Sequence, residues 1–285
     1  MATIRKVIAV ASSNDWPFFH MDVNNVFLQG DLEEEVYMEM PQGFQQQGEY
    51  RASRQWNIKL TTALVQAGHI QSPYDHSFFT KKRGAGIVVI LMYVDDLLIT
   101  GSNVDLIHEA KDSLHGNFKM KDLGELRYFL GIEVMRSKEG IVLNQRKYAL
   151  ELISKVGLSG CKPASTPMEL NHKLTTVDYD MHMGITEDAK LGDITTYQKL
   201  IGKLLYWTIT RPDLCFVVQV LSQFMQRTKQ SHLNVAMRII RYIKGSPDLG
   251  IFLKKGETHT LTAYCDSDWA AFPNTRRSIT SYVVK

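Results

Sequence analysis

Apolar residues recur every three or four positions in several stretches, the pattern of a helix with one buried face. The N-terminal stretch Thr3–Ser13 and the amphipathic stretch Arg54–Gly68 both show this repeat. Asn103 is a typical helix cap and predicts a helix that runs to Leu114 or Gly116. Further helices are predicted over Gln145–Val156, around Tyr197–Thr208, from Pro212 through Met225, and around Leu233–Ile240 with a stop at Gly245.

Short apolar runs bounded by turn residues predict strands between and after these helices. The run Ile87–Val94 is followed closely by Leu97–Thr100, and Tyr128–Met135 is followed by Gly140–Asn144, so each pair predicts a hairpin. The segment Gly160–Asp193 is rich in Pro, Thr, Asp and His, which predicts a linker. The other predicted strands are Phe18–Val23, Glu35–Met40, Ser77–Thr80, Ile251–Leu253, Leu261–Tyr264 and Ile279–Val284.

The overall composition is that of an ordinary globular protein. The 285 residues are 44% apolar and 22% charged, and this length corresponds to about two domains. The longest apolar run, Ile87–Val94, is far shorter than the ~18 residues of a membrane span, and the N-terminus lacks the pattern of a secretory signal. Three separated cysteines without a CxxC pair favour a reducing compartment over a disulfide framework or a cysteine zinc site.

The formal net charge of +3 conceals an asymmetry along the chain. Residues 1–50 carry eight acidic and two basic residues, whereas residues 197–245 carry eight basic residues and the single acid Asp213. Such a division suggests different roles for the two regions. Solvated helix faces explain the same count equally well.

Asp95 and Asp96 are the sharpest chemical feature, because they lie side by side between two strongly apolar strands. Aspartates often occupy hairpin turns for conformational reasons alone. A third carboxylate, Asp22, lies near the end of the predicted strand Phe18–Val23. It could equally be a turn residue at the end of that strand. If the two elements pair, three carboxylates converge and can hold two Mg²⁺ ions, an arrangement suited to phosphoryl transfer.

The residues around these carboxylates belong to an ordered series of motifs. Asp22–Phe27 with Gln29–Met38 forms the first, and Tyr93–Asp96 forms the second. The others are Met120–Gly124, Tyr128–Glu133, Ser165–Met168, Thr210–Asp213, Arg241–Gly245 and Ala263–Trp269. As a set, in this order and over nearly the whole chain, they resemble the reverse transcriptases of copia-class LTR retrotransposons, with the first two motifs resembling the catalytic ones.

The resemblance implies an α+β fold in which an antiparallel sheet backed by helices forms a palm. It divides the chain into partial fingers and palm over 1–158, a linker over 159–195, a helical thumb or connection over 196–247, and an incomplete RNase H-like α/β start over 248–285. The implied partners are an RNA template, a DNA primer and deoxynucleoside triphosphates, with no membrane. The implied location is the cytoplasm, in a virus-like particle, or the nucleus.

The resemblance also assigns roles to individual residues. It implies that Asp22, Asp95 and Asp96 are catalytic and bind two Mg²⁺ or Mn²⁺ ions, and that Asp266 is a metal ligand of RNase H. It places Asn25, Phe27 and Lys121 at the nucleotide, with Phe27 excluding the ribose 2′-hydroxyl and Lys121 near the triphosphate. Primer and template contacts are implied for Tyr128, Gly131, Arg238, Arg241 and Lys244.

The sequence departs from the family pattern between Phe44 and Arg54, where a Ser-Leu-Tyr-Gly-Leu-Lys-Gln-Ala segment usually positions the nucleotide. Val26 replaces the usual Ala, upstream finger residues are not present, and the RNase H-like portion stops at Lys285. These departures predict a defective copy, with negligible polymerisation and no RNase H activity. The alternatives are a non-catalytic nucleic-acid-binding remnant and a non-functional pseudogene product that folds poorly.

Overall fold

The computed structural model describes residues 2–24, 47–169, 174–256, 262–267, 278 and 280–284, with the side chains of residues 2 and 47–54 excepted. Asn25, Phe27 and the predicted strand Glu35–Met40 lie outside these residues. The described helices are α1 Ala2–Ser13, α2 Gln47–Gln66, α3 Val104–Asn117, α4 Arg146–Lys155, α5 Val177–Met183, α6 Ile194–Trp207, α7 Cys215–Ser222 and α8 Gln230–Lys244, with a 3₁₀ turn at Pro212–Leu214.

The described strands lie between these helices and after the last of them. They are β1 Phe18–Val23, β2 Ile70–Gln71, β3 Phe78–Arg83, β4 Gly86–Tyr93, β5 Asp96–Gly101, β6 Met120–Glu125, β7 Tyr128–Phe129, β8 Ile132–Arg136, β9 Gly140–Asn144, β10 Ile251–Lys254, β11 Ala263–Ser267 and β12 Thr280–Val284. They form sheets with the orders β2-β3-β4-β5-β1-β6, β10-β9-β8-β7 and β11-β12. The mixed α and antiparallel β content agrees with the expected fold class. None of the described helices is long and apolar enough to span a membrane.

The first compact unit comprises Met1–Leu130, Arg136–Ile141 and Leu253–Glu257. Its six-stranded sheet is antiparallel throughout, and α2 and α3 pack with it around one apolar core. Alternate residues of the central strands, such as Met21, Ile90 and Ile99, are fully buried in that core. Because strand side chains alternate between faces, the residues between them point to the opposite side of the sheet.

Strand β1 lies between β5 and β6, and this position brings distant parts of the sequence together. Its pairing with β5 is regular, whereas its pairing with β6 is interrupted by a bulge between His20 and Met21. Asn103 caps α3 by accepting a hydrogen bond from the Leu106 amide, as the sequence predicts. Strand β6 was not predicted from the sequence, because Met120–Glu125 includes charged residues and a glycine rather than an apolar repeat.

The second compact unit comprises Gly131–Met135, Val142–Phe252 and Thr258–Lys285. Its core is built from the buried faces of α4, α6, α7 and α8, including Trp207 and Tyr197. The helix predicted from Pro212 through Met225 is instead a 3₁₀ turn followed by α7, which ends at Ser222. His232 lies fully buried in this unit, where burial lowers the pKa of its imidazole to about 4.

The segment 159–195, predicted as a linker, contains helix α5 and is packed against the rest of its unit. Thr176 caps α5, and Lys229 binds Asp180 of this helix in a buried ion pair. The backbone amide of Leu191 also donates a hydrogen bond to the carbonyl oxygen of Thr228. Part of the predicted linker is therefore ordered, because its polar residues have partners that lie far away in the sequence. The division of the chain at this segment stays a prediction.

Candidate active site

The candidate site is built around the tight turn that joins β4 to β5. Tyr93 pairs with Asp96, so only Val94 and Asp95 lie between the two strands. Val94 has a φ of +57°, a left-handed value that a β-branched residue rarely adopts. A positive φ at the first central residue is typical of the type II′ turns that match the twist of a hairpin, and for valine it costs about 1–3 kcal/mol.

Two hydrogen bonds hold this strained turn in place. The indole Nε1 of Trp56, on α2, donates to the carbonyl oxygen of Val94 at 2.9 Å. The backbone amide of Val23, at the end of β1, donates to the carbonyl oxygen of Asp95 at 3.0 Å. The turn is thus fixed to a helix on one side and to β1 on the other, which offsets its conformational cost.

Asp22 and Asp96 are directly opposite each other in the pairing of β1 with β5. Burial, followed by repulsion from the Asp96 and Asp95 carboxylates, raises the pKa of Asp22 above its usual value, although His20 and Lys121 act in the opposite direction. The structure therefore brings the three predicted carboxylates into one electrostatically coupled group. Asp22 and Asp96 are neighbours across the sheet, and Asp95 is next to Asp96 in the turn.

The imidazole of His20 is a polar partner of this group. Its Nε2 donates to Oδ1 of Asp96 at 2.6 Å, and its ring contacts the Phe129 ring edge-on, with 5.5 Å between the ring centroids. No sequence motif predicted a role for His20. The two-residue strand period that places His20 and Asp22 on the same face of β1 is the signal that could have found it.

These residues fit a divalent cation in donor chemistry, because Mg²⁺ and Mn²⁺ prefer carboxylate oxygens and the repulsion within the group favours a positive charge. As they stand, however, no three His, Cys, Asp or Glu side chains in the described ranges are grouped closely enough to hold a metal ion. The elements are in place, but the side chains are not gathered around a common point.

A family model for reverse transcriptase (RNA-dependent DNA polymerase) matches residues 1–170, which include all three carboxylates. This chain belongs to that family. It is 41% identical over 296 aligned residues to the retrovirus-related Pol polyprotein from transposon RE2 of Arabidopsis thaliana, with 99% of this chain covered. The corresponding polyprotein from transposon RE1 of the same plant is 40% identical, and that from transposon TNT 1-94 of Nicotiana tabacum is 32% identical.

The match with these retrotransposon polyproteins extends beyond residue 170 to nearly the whole chain. The chain spans about one fifth of the length of those polyproteins, 20% for the two from Arabidopsis. The aligned length of 296 exceeds the 285 residues of the chain, so the alignments leave gaps on its side. No solved structure matches the chain significantly.

Of the other residues to which the resemblance assigns roles, one lies beside the carboxylate group and the others lie on other elements. Lys121, on β6, is the pairing partner of Asp22 and is therefore brought to the carboxylate group. Tyr128 is half-exposed on β7, and Gly131 follows it in a left-handed turn with a φ of +76°. A Cβ at Gly131 would lie 3.1 Å from the hydroxyl oxygen of Tyr206, so a larger residue would disturb this turn. Asp266 is exposed on β11.

Three basic residues of α8 that were expected to contact phosphates form hydrogen bonds within the protein. Arg238 binds Glu169 and the carbonyl oxygen of Thr166. Arg241 donates to the carbonyl oxygen of Lys162, and Lys244 donates to carbonyl oxygens of residues 158, 159 and 161. These contacts give the three side chains a structural role in fixing the segment that follows α4. Their contact with phosphates stays a prediction.

We expect the substitution Asp22→Asn to stabilise the metal-free protein. The raised pKa means that ionised Asp22 is less favourable in the folded than in the unfolded chain, so its cost appears as the pH rises through the folded-state pKa. At pH 7 in EDTA we expect a gain of about 0.5–1 kcal/mol in unfolding free energy, which disappears at a pH where Asp22 is protonated in both states. Urea unfolding at both pH values measures it.

The control for this prediction is Asp112→Asn, which removes an exposed carboxylate of α3 and should change stability by less than about 0.5 kcal/mol. A loss of stability in Asp22→Asn at pH 7 would show that the carboxylate is held by favourable contacts. A single cooperative transition in these measurements would also contradict the view that the chain is a product that folds poorly.

Proposed function

We propose that Asp22, Asp95 and Asp96 bind two Mg²⁺ or Mn²⁺ ions, and that the chain is the polymerase portion of a copia-type retrotransposon Pol polyprotein. The observation that supports this most directly is the pairing of Asp22 with Asp96 beside the Asp95 turn, where burial and then repulsion raise the pKa of Asp22. The substrates proposed for it are an RNA template, a DNA primer and deoxynucleoside triphosphates, in keeping with the family to which it belongs.

The protein's part in this chemistry is to hold three oxygen donors close to a rigid turn. Bound metal ions would lower the pKa of the attacking hydroxyl and stabilise the charge on the transferred phosphoryl group. Because the side chains do not form a three-ligand cluster as they stand, binding requires at least one of them to rotate. Such rotations are fast and cheap compared with a movement of the turn, which Trp56 and Val23 hold.

The ammonium of Lys121 is the cationic group that β6 brings to the same edge. We propose that it lies near the triphosphate, where a lysine stabilises negative charge and can donate a proton to the departing pyrophosphate. Its positive charge also opposes the rise in the pKa of Asp22, so the ammonium acts on the carboxylate group across the strand pair.

We further propose that this copy polymerises poorly. The family segment expected between Phe44 and Arg54 is missing from the sequence, and the gapped alignments with the relatives are consistent with its loss. Accurate positioning of reactants supplies about 7–11 kcal/mol of barrier lowering, so metal ligands alone cannot restore the rate. The proposed metal site and the proposed weak polymerisation are therefore separate claims that need separate measurements.

The test combines primer extension with a direct measurement of Mn²⁺ binding. On poly(rA) primed with oligo(dT), we expect extension by the intact chain to be barely above background. Mn²⁺ binding, followed by the paramagnetic resonance signal of the free ion, should weaken at least tenfold in Asp95→Asn and stay unchanged in Asp112→Asn. Mn²⁺ binding that is indifferent to Asp95 would refute the metal site, and efficient Asp95-dependent extension would refute the weak polymerisation.

Nucleic-acid binding through the basic segment 197–245, without catalysis, receives little support from the structure. Of its eight basic residues, six make ion pairs or hydrogen bonds within the protein. These six are Arg211, Arg227, Lys229, Arg238, Arg241 and Lys244. Binding to phosphates would have to displace most of these contacts, so the excess charge of the segment overstates its capacity to bind a nucleic acid.

A further inference from the structure

We propose that His20 is a positioning residue that orients the Asp96 carboxylate for metal binding. This inference rests on the metal site proposed above and extends it to a residue that does not itself bind the ion. The proposal is based on the hydrogen bond of 2.6 Å from Nε2 of His20 to Oδ1 of Asp96.

The geometry of the sheet explains why His20 reaches Asp96. Asp22 faces Asp96 across the β1–β5 pair, and His20 faces Leu98, so His20 and Asp96 are diagonal neighbours. Side chains two residues apart on a strand share a face, and a long or aromatic side chain can span the diagonal distance. His20 therefore approaches the Asp96 carboxylate from the part of the sheet that lies farther from the β4–β5 turn.

The imidazole is itself held in a fixed orientation. Its ring packs edge-on against Phe129, whose side chain is fully buried, and only 13% of the His20 side chain is exposed. A donor that is fixed in this way restricts the rotation of the carboxylate that it binds. Metal-binding carboxylates are commonly oriented by such outer hydrogen bonds, and removing them weakens metal binding about 10–100-fold.

The hydrogen bond from His20 leaves one oxygen of the Asp96 carboxylate for a metal ion. Oδ1 of Asp96 is engaged by His20, while its Oδ2 has no partner within the part of the chain that the structure describes. Repulsion from Asp22 would otherwise favour rotation of Asp96 away from the group. With Asp96 fixed by His20, one donor oxygen is already oriented when the ion arrives, and fewer side chains have to be ordered on binding.

The experiment measures Mn²⁺ binding to the whole 285-residue chain by the resonance signal of the free ion. We expect His20→Leu to weaken binding roughly tenfold. His20→Gln places an amide N–H near the position of Nε2 and should remain within threefold of the wild type. His108→Leu, the same change at an exposed histidine of α3, should have no effect.

A second pair of variants covers the case in which His20→Leu fails to fold in EDTA. His20→Asn differs from His20→Gln by one methylene group, but its amide is too short to reach Asp96. We expect His20→Asn to weaken Mn²⁺ binding and His20→Gln to preserve it, with similar melting temperatures. A role in packing alone would affect stability without separating these two variants by metal affinity.

Two results would overturn the inference, and they are distinguishable. If the wild type binds Mn²⁺ through Asp95 but His20→Leu or His20→Asn binds it as well or better, His20 does not position Asp96. If wild-type binding is absent or independent of Asp95, the proposed metal site itself fails and the inference fails with it. The Asp95→Asn measurement separates the two cases.

Discussion

Replacing Trp56 with alanine is expected to lower the unfolding free energy by about 3–5 kcal/mol, the usual cost of removing a large aromatic side chain from a core. Trp56 is only 1% exposed and contacts Phe118 edge-on, with 5.0 Å between ring centroids. The loss has two parts, since the indole both fills the core and donates to the carbonyl oxygen of Val94.

The hydrogen bond from the Trp56 indole to Val94 links the stability of the protein to the candidate site. Val94 keeps its unfavourable positive φ because the surrounding contacts hold it there. Without the indole donor, the turn can relax to a less strained conformation and carry Asp95 with it. The substitution Trp56→Phe keeps an aromatic ring in the core, but it removes the hydrogen bond and leaves a small cavity, so it should cost at least about 1–1.5 kcal/mol of stability. It should also weaken Mn²⁺ binding, which a loss of stability alone would not do in the folded protein.

The matched control is Trp16→Phe. Trp16 is partly exposed in the turn after α1, and its indole makes no hydrogen bond to the residues that the structure describes. Its effect on stability should be less than about 0.5 kcal/mol, with no effect on Mn²⁺ binding. Urea unfolding in EDTA and the Mn²⁺ titration together test the prediction. Equal Mn²⁺ affinity in Trp56→Phe and the wild type would show that the turn does not depend on the indole.

The sequence predicted the site's main elements, because local patterns carry them. The apolar runs on either side of Asp95 and Asp96 predict their hairpin, and the run before Asp22 predicts β1. Whether β1 would lie next to β5 depends on long-range pairing, which local periodicity does not encode. The motif resemblance supplied that information. Neither source indicated His20, because its role depends on a diagonal contact that exists only after the strands pair.

The basic residues illustrate a different limit. Counting charges along residues 197–245 treats each lysine or arginine as available to a ligand, whereas the fold provides most of them with internal partners. Arg211 is only 1% exposed and binds Asp213 through two hydrogen bonds. The acid and carbonyl groups that engage Arg238 and Lys244 lie 69 to 86 positions earlier in the sequence. Composition within a window cannot detect partners at that distance.

Ion pairing between residues far apart in the sequence also underlies the second large effect on the unfolding free energy. We expect Lys229→Met to destabilise the protein by about 3–5 kcal/mol, because it leaves buried carboxylates without their counter-charge. The Lys229 ammonium binds Asp180 in an ion pair, Asp188 at 2.9 Å and the hydroxyl of Thr175 at 2.9 Å. The side chains of Lys229 and Asp180 are only 3% and 7% exposed, so water cannot replace the lost partner.

The electrostatics of this cluster agree with a strong pairing. Burial alone would lower the pKa of the Lys229 ammonium, but hydrogen bonds to Asp180 and Asp188 outweigh it and raise that pKa above its usual value. Burial likewise opposes ionisation of Asp188, and bonds from Ser231 and Lys229 reverse the effect and lower its pKa. The cluster therefore contributes stability across neutral pH. That contribution is lost as the pH falls through the lowered pKa of Asp188 or rises through the raised pKa of Lys229.

The double variant Lys229→Met with Asp180→Leu separates the loss of a pair from the exposure of an unpaired charge. Replacing both partners by apolar groups removes the cost of desolvating them, so we expect it to recover most of the stability, to within about 1–2 kcal/mol of the wild type. Asp188 retains its bonds to Ser231 and is 21% exposed, so water can solvate it. Urea unfolding of the single and double variants gives the coupling between the two sites.

Arg227→Met provides the contrast that identifies burial as the cause. Arg227 lies two residues before Lys229 and binds Asp178, which is on α5 like Asp180. The side chains of Arg227 and Asp178 are 64% and 68% exposed. An exposed pair contributes little, so we expect a change below about 0.5 kcal/mol. If Arg227→Met and Lys229→Met destabilise the protein equally, or if the double variant is no more stable than Lys229→Met, the buried cluster does not anchor α5. Residues 159–195 would then behave as the linker that their composition suggests.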